Sequence, residues 1–166
     1  MKIMVLIISV IFLFNTCALE IANVIGPGGG YVFYDKGNYD GGWRYIECSQ
    51  FDMGEIKDLN TDSVIKAMKL CEENSGGWYR FPWELPEEAD LKKMLECFSY
   101  GLTRFSSKYY YLAVNKLSTY DENNPYDPDT WEAVVLHKNF DDKLNGEVKK
   151  VEKIPDTIKV RPIRKF

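Results

Sequence analysis

The stretch Gly26–Cys48, GPGGGYVFYDKGNYDGGWRYIEC, constrains the fold of this chain more than any other. Gly26 to Gly30 reads as a glycine turn. Tyr31-Val32-Phe33-Tyr34 follows with the aromatic and β-branched residues of a strand. Asp35 to Gly42 is turn chemistry throughout. Trp43 to Cys48 then alternates, with Trp43, Tyr45 and Glu47 on one side and Arg44, Ile46 and Cys48 on the other. Two strands joined by a long polar loop predict an antiparallel pair. The glycines also invite a phosphate-cradle reading. A phosphate loop opens a helix and carries a GK[ST] run, whereas these glycines lead into a strand and no such run occurs.

Ahead of this unit lies an export segment. Lys2 supplies a positive start, and Ile3 to Phe14 is apolar apart from Ser9. As a helix that run would span roughly 18 Å at about 1.5 Å per residue, short of the about 30 Å of a bilayer core. This is the pattern of a signal peptide over residues 1–18, with 19–25 as a short linker and 26–166 as the domain. Leu13-Phe14-Asn15-Thr16-Cys17 resembles a loose bacterial lipobox, with Thr16 in place of the usual Gly or Ala, and makes Cys17 a lipidation candidate. Cleavage after Ala18 and an uncleaved anchor are the alternatives. Each places the domain outside the cytoplasm: in the cell envelope as a lipoprotein, or else secreted or periplasmic.

The 166 residues leave about one domain after this segment, and 45% hydrophobic residues are enough for a core. A formal charge of −4 with no basic run longer than two argues against a nucleic-acid partner. Cys48, Cys71 and Cys97 allow at most one intrachain disulfide in an exported protein and otherwise read as buried hydrophobes.

Beyond Cys48, Val64, Ala67, Met68 and Cys71 fall at i, i+3, i+4 and i+7. They predict a helix from about Asp62 to Glu73, capped by Asn60, Thr61 or Asp62 and stopped by Gly76-Gly77. Leu91, Met94, Leu95 and Phe98 repeat that spacing in a second helix from about Pro86 to Tyr100, ended by Gly101. Between them Trp78 to Pro86 reads as a rigid aromatic connector that plugs the core edge, with a ligand shelf as the sharper alternative. Strands are expected at Tyr109–Val114, Trp131–His137, Val148–Val151 and Ile158–Phe166. Strands, two helices, then strands means α+β with an antiparallel sheet.

The opening stretch resembles the start of the Lcl C-terminal (DUF1566) domains of exported bacterial proteins, frequent in spirochaetes. Trp83-Glu84-Leu85-Pro86 with Asp90-Leu91 resembles that family's W-x-L-P…E-L segment, and Val160-Arg161-Pro162-Ile163-Arg164 its closing V-R-x-V-R strand. Tyr110-Tyr111-Leu112-Ala113 stands where the family has a YWSS-like start, and Asp90 replaces Glu. The resemblance implies a C-type-lectin-like fold, related to that of formylglycine-generating enzymes. Two helices then pack on a twisted antiparallel sheet, and the first and last strands pair, Tyr31–Tyr34 against Val160–Arg164. Such domains are mostly binding modules.

No residue pattern spells out a catalytic site, and no cofactor is called for. His137, the sole histidine, sits in a strand pattern, and Glu87-Glu88 suits the positive end of a helix dipole. Formylglycine-generating chemistry uses a closely placed cysteine pair, which this chain lacks. The acidic loop with Asp121, Asp127 and Asp129 is the candidate calcium site, since calcium takes six to eight oxygens. Tyr39, Tyr120 and Tyr126, all in loops, are the candidate contacts for a glycan or protein ligand. A pocket with convergent titratable groups would favour an enzyme; a flat aromatic loop surface would favour binding.

Overall fold

The computed structural model describes residues 24–75, 82–97, 110–138, 148–153 and 155–166. Cys17, the Gly76-Gly77 stop, Trp78, Phe98, Gly101 and the turn at Asn139–Gly146 lie outside the described residues.

The opening unit forms as its chemistry dictates. Strand β1 (Tyr31–Asp35) pairs antiparallel with β2 (Tyr45–Cys48), with Tyr31 opposite Cys48 and Asp35 opposite Tyr45. The register slips between Val32 and Tyr34. That bulge lets the consecutive residues Val32 and Phe33 both be buried. A short strand β3 (Gly54–Ile56) precedes helix α1 (Thr61–Glu73). Asn60 caps α1 by accepting a hydrogen bond from Ser63 N at 2.9 Å, and Val64, Ala67 and Cys71 are its buried face. Helix α2 (Glu88–Cys97) buries Leu91, Met94 and Leu95. Strands β4 (Tyr110–Lys116), β5 (Trp131–Lys138), β6 (Val148–Lys150), β7 (Ile158–Val160) and β8 (Ile163–Lys165) complete the described elements.

The fold is α+β, but the strands divide between two sheets where one was expected. A three-stranded sheet has the order β1-β2-β8, and a five-stranded sheet the order β3-β7-β4-β5-β6. The second is mixed: β4 runs parallel to β7 and antiparallel to β5. The expected pairing of the first strand with the last is also corrected. β8 pairs with β2, setting Glu47 opposite Arg164, and β1 lies on the far side of β2.

Arg161-Pro162 explains both differences. The expected closing strand breaks there, because proline cannot donate to a ladder. Buried Arg161 donates Nε to Asp52 Oδ1 at 2.7 Å and Nη1 to the Ser49 carbonyl at 3.3 Å. The chain so anchored leaves one sheet as β7 and enters the other as β8.

β4 shows why the core has two layers. Tyr111 and Ala113 point into one apolar cluster with Ile46, Leu91, Met94 and Ile163. Leu112 and Val114 point into a second with Val64, Ala67, Trp83 and Ile158. Apolar residues at both parities bury both faces of a strand, so α1 and α2 serve opposite clusters. Cys48 and Cys97 pack with the first and Cys71 with the second. All three are free thiols, and burial pushes Cys48 and Cys71 each up to about 12.

Candidate functional site

The residues between Pro82 and α2 organise the surface of interest. Glu84 N donates to the Ile163 carbonyl and Ile163 N to the Glu84 carbonyl, each at 2.9 Å. This bridge lays Pro82-Trp83-Glu84-Leu85 along the open edge of β8. Trp83 and Leu85 are buried in the second apolar cluster. The described part of the connector thus plugs the core edge, as expected.

On one side of Trp83, a buried carboxylate fills the glycine turn. Gly28 N and Gly30 N donate to Glu47 Oε1 and Oε2 at 2.8 and 3.0 Å. A Cβ on Gly28 would stand 2.4 Å from Glu47 Oε1, and one on Gly30 would stand 2.2 Å from the Cys48 carbonyl oxygen. Arg164 Nε lies 3.9 Å from Glu47 Oε1, and the guanidinium sits 4.4 Å above the Trp83 ring. Burial pushes the Glu47 carboxyl above its usual range, against the pull of the two N–H groups and Arg164. An arrangement in which the protein's own carboxylate takes the backbone donors leaves the turn no role as a phosphate cradle.

On the other side of Trp83 lies a cavity of about 150 Å³, lined by Met68, Glu72, Trp83, Leu85, Lys116 and Tyr120 together with Pro82, Glu84 and Val114. Lys116, at the end of β4, places Nζ 3.3 Å from Glu84 Oε2 and 5.0 Å from the Tyr120 ring centre. Burial opposes the Lys116 charge, but Glu84, Tyr120 and Glu87 outweigh it and raise its pKa. Tyr126 donates its hydroxyl to Glu72 Oε2 and carries Lys69 Nζ 5.2 Å from its ring centre. Burial first, then the Glu72 hydrogen bond and charge, push the Tyr126 hydroxyl up to about 12. Burial raises Tyr120 as well.

Two of the three predicted tyrosines thus meet at one place, Tyr120 in the wall and Tyr126 on the Glu72 rim. Tyr39 does not join them: it is 63% exposed beside the one-turn 3-10 helix Asp40–Gly42. Sequence reasoning singled out neither Glu72, Glu84 nor Lys116. The signal for Glu84 was its place in the connector; Glu72 and Lys116 come from a helix end and a strand end, where a single charge carries no signal. The cavity holds titratable groups, and no His or Cys is among the described residues that line it.

The acidic loop is internally bonded. Asp121 Oδ1 accepts from Asn123 N at 2.9 Å, and Asp127 Oδ1 accepts from Asp129 N at 3.1 Å. Among the described residues no group of three or more His, Cys, Asp or Glu is placed to hold a metal ion. His137 lies against Tyr110, with ring centres 4.7 Å apart, and burial lowers its pKa. Among the described residues no helix is long and apolar enough to cross a membrane.

Comparison with protein-family models, with curated proteins and with solved structures finds no match to this chain.

Proposed function

We propose that this chain is an exported, lipid-anchored binding module of the bacterial cell envelope, with a C-type-lectin-like fold of the DUF1566 kind and no catalytic role. It takes a glycan or protein ligand in the cavity between Trp83 and Tyr120. The titratable groups that converge on this cavity meet the criterion set for an enzyme; the binding reading is carried instead by the apolar and aromatic share of its lining, Met68, Leu85, Val114, Trp83 and Tyr120. Most ligand sites combine those parts. The lipid anchor rests on Cys17 after the apolar run Ile3–Phe14. The lectin-like fold is supported by the last strand, β8, pairing with β2 of the opening motif. No metal takes part in the binding step.

A glycan and protein array tests it. The wild-type domain should give hits that Tyr120→Ala loses at unchanged melting temperature. Hits that survive Tyr120→Ala would move the site elsewhere.

The second reading, an envelope enzyme, is favoured by the convergence of Glu72, Glu84, Lys116 and Tyr120 on one cavity. Turnover of an array glycan, abolished by Glu84→Gln or Glu72→Gln, would replace the binding reading with that one.

A further inference from the structure

We propose that the Trp83–Tyr120 cavity recognises a primary ammonium group carried on an apolar stem, and that Lys116 occupies that group's place in the free protein. The inference rests on the binding reading above and names the class of ligand.

Three independent features point to a cation. The first is composition. Among the described residues that line the cavity, two carboxylates, Glu72 and Glu84, face one cation, Lys116, and Glu87 and Glu122 add to the field felt by Lys116 and Tyr120. The second is the aromatic wall. The electron-rich face of a tyrosine attracts ammonium, and both tyrosines of this surface already present theirs to one: Tyr120 to Lys116 Nζ at 5.0 Å and Tyr126 to Lys69 Nζ at 5.2 Å. The third is how Lys116 sits. Its side chain is 39% exposed and that of Glu84 is 35% exposed. A pair so open to water is held weakly and can be displaced by a ligand that also fills the apolar floor. Lys116 is then an internal stand-in for the ligand's ammonium. A free alkylamine and a lysine side chain of a partner protein share this chemistry.

Calorimetry with four probes on the full mature chain tests the inference: n-butylammonium, N-acetyl-lysine-amide, n-butanol and butyrate. Butylammonium should bind at least about tenfold more tightly than butanol or butyrate, and Glu84→Gln should weaken it by about tenfold. Lys116→Met should tighten it by a similar factor, because the competitor is gone. This sign decides the matter. If Lys116→Met weakens butylammonium binding, Lys116 supports the site instead of competing for it and the ammonium inference is overturned. N-acetyl-lysine-amide binding more tightly than butylammonium points to a protein ligand, the reverse to a small amine, and either supports the class. Butanol or butyrate binding as tightly as butylammonium overturns the class and leaves the binding reading standing. The class is likewise overturned, with the binding reading intact, if no probe binds but array hits are lost in Tyr120→Ala. Blank titrations with a blank array overturn both.

Discussion

Glu47 is fully buried, yet each of its oxygens accepts a backbone hydrogen bond and Arg164 faces it from the next strand. Removing it by Glu47→Ala strands two N–H groups and a guanidinium, and should cost about 3 kcal/mol in denaturant unfolding. Asp35 and Glu47 give opposite pH signatures. The hydrogen bonds from Arg44 hold the Asp35 carboxyl below its usual range. Its contribution is present above the unfolded value and is lost as pH falls through the lower folded one. Glu47, pushed up by burial, contributes fully below its unfolded value and loses that contribution as pH rises through the higher folded one. Asp35→Asn should flatten the acid limb of a stability–pH curve, and Glu47→Gln should remove the loss above it. Part of this was legible. The glycines announced a turn, and the alternation from Trp43 to Cys48 announced a strand. That strand's Glu47 gave no sign of burial, because its partners Gly28, Gly30 and Arg164 come from both ends of the chain.

At the scale of elements, the informative units are the broken closing strand and the connector. Both helices were legible from their apolar spacing, and α1 also from its Asn60 cap, because those signals are local. The division into two sheets was not, since it depends on Arg161 reaching Asp52 and Ser49 across more than half the chain. Pro162 stands inside the stretch expected as one closing strand, and it is where that strand breaks. Trp83 couples stability to the proposed binding. Its ring supports Arg164 and also walls the cavity, so Trp83→Ala should lower both melting temperature and binding and cannot separate them. The acidic loop belongs at this scale too. Its Asp121 and Asp127 carboxylates already serve their own turns. Calcium calorimetry should therefore show no heat above buffer. A heat abolished by Asp127→Ala and Asp129→Ala would establish the ion.

For the whole molecule, the Glu47–Arg164 arrangement and the cavity proposed for binding share Trp83 and are otherwise built from different residues. The three-stranded sheet carries the opening motif and the Ile163-Arg164 end of the closing one, and the cavity lies against the connector laid on its edge. The resemblance motifs, from Gly28 through Glu47 to Arg164, meet in the buried side of that arrangement and account for stability. Of the groups proposed for binding, Trp83 and Glu84 belong to the W-x-L-P segment, whereas Glu72, Lys116 and Tyr120 lie outside the motifs. That is why the α+β class could be read from the chain while the site could be read only in part. Export belongs to this scale as well: intact mass of the membrane fraction should show a diacylated or triacylated chain beginning at Cys17, and a chain beginning at Leu19 would contradict the anchor.

The most direct test compares Trp43→Ala with Tyr120→Ala, measuring melting and array binding on the same preparations. Trp43 is half-buried against the first apolar cluster, beside Tyr34 and under Lys36. Its loss should cost about 2 kcal/mol, below the about 3–5 kcal/mol of a fully buried aromatic, and should leave binding intact. Tyr120→Ala should abolish binding at unchanged melting. A Trp43→Ala protein that melts normally and no longer binds, or a Tyr120→Ala protein that binds as wild type, would contradict this separation of fold from site.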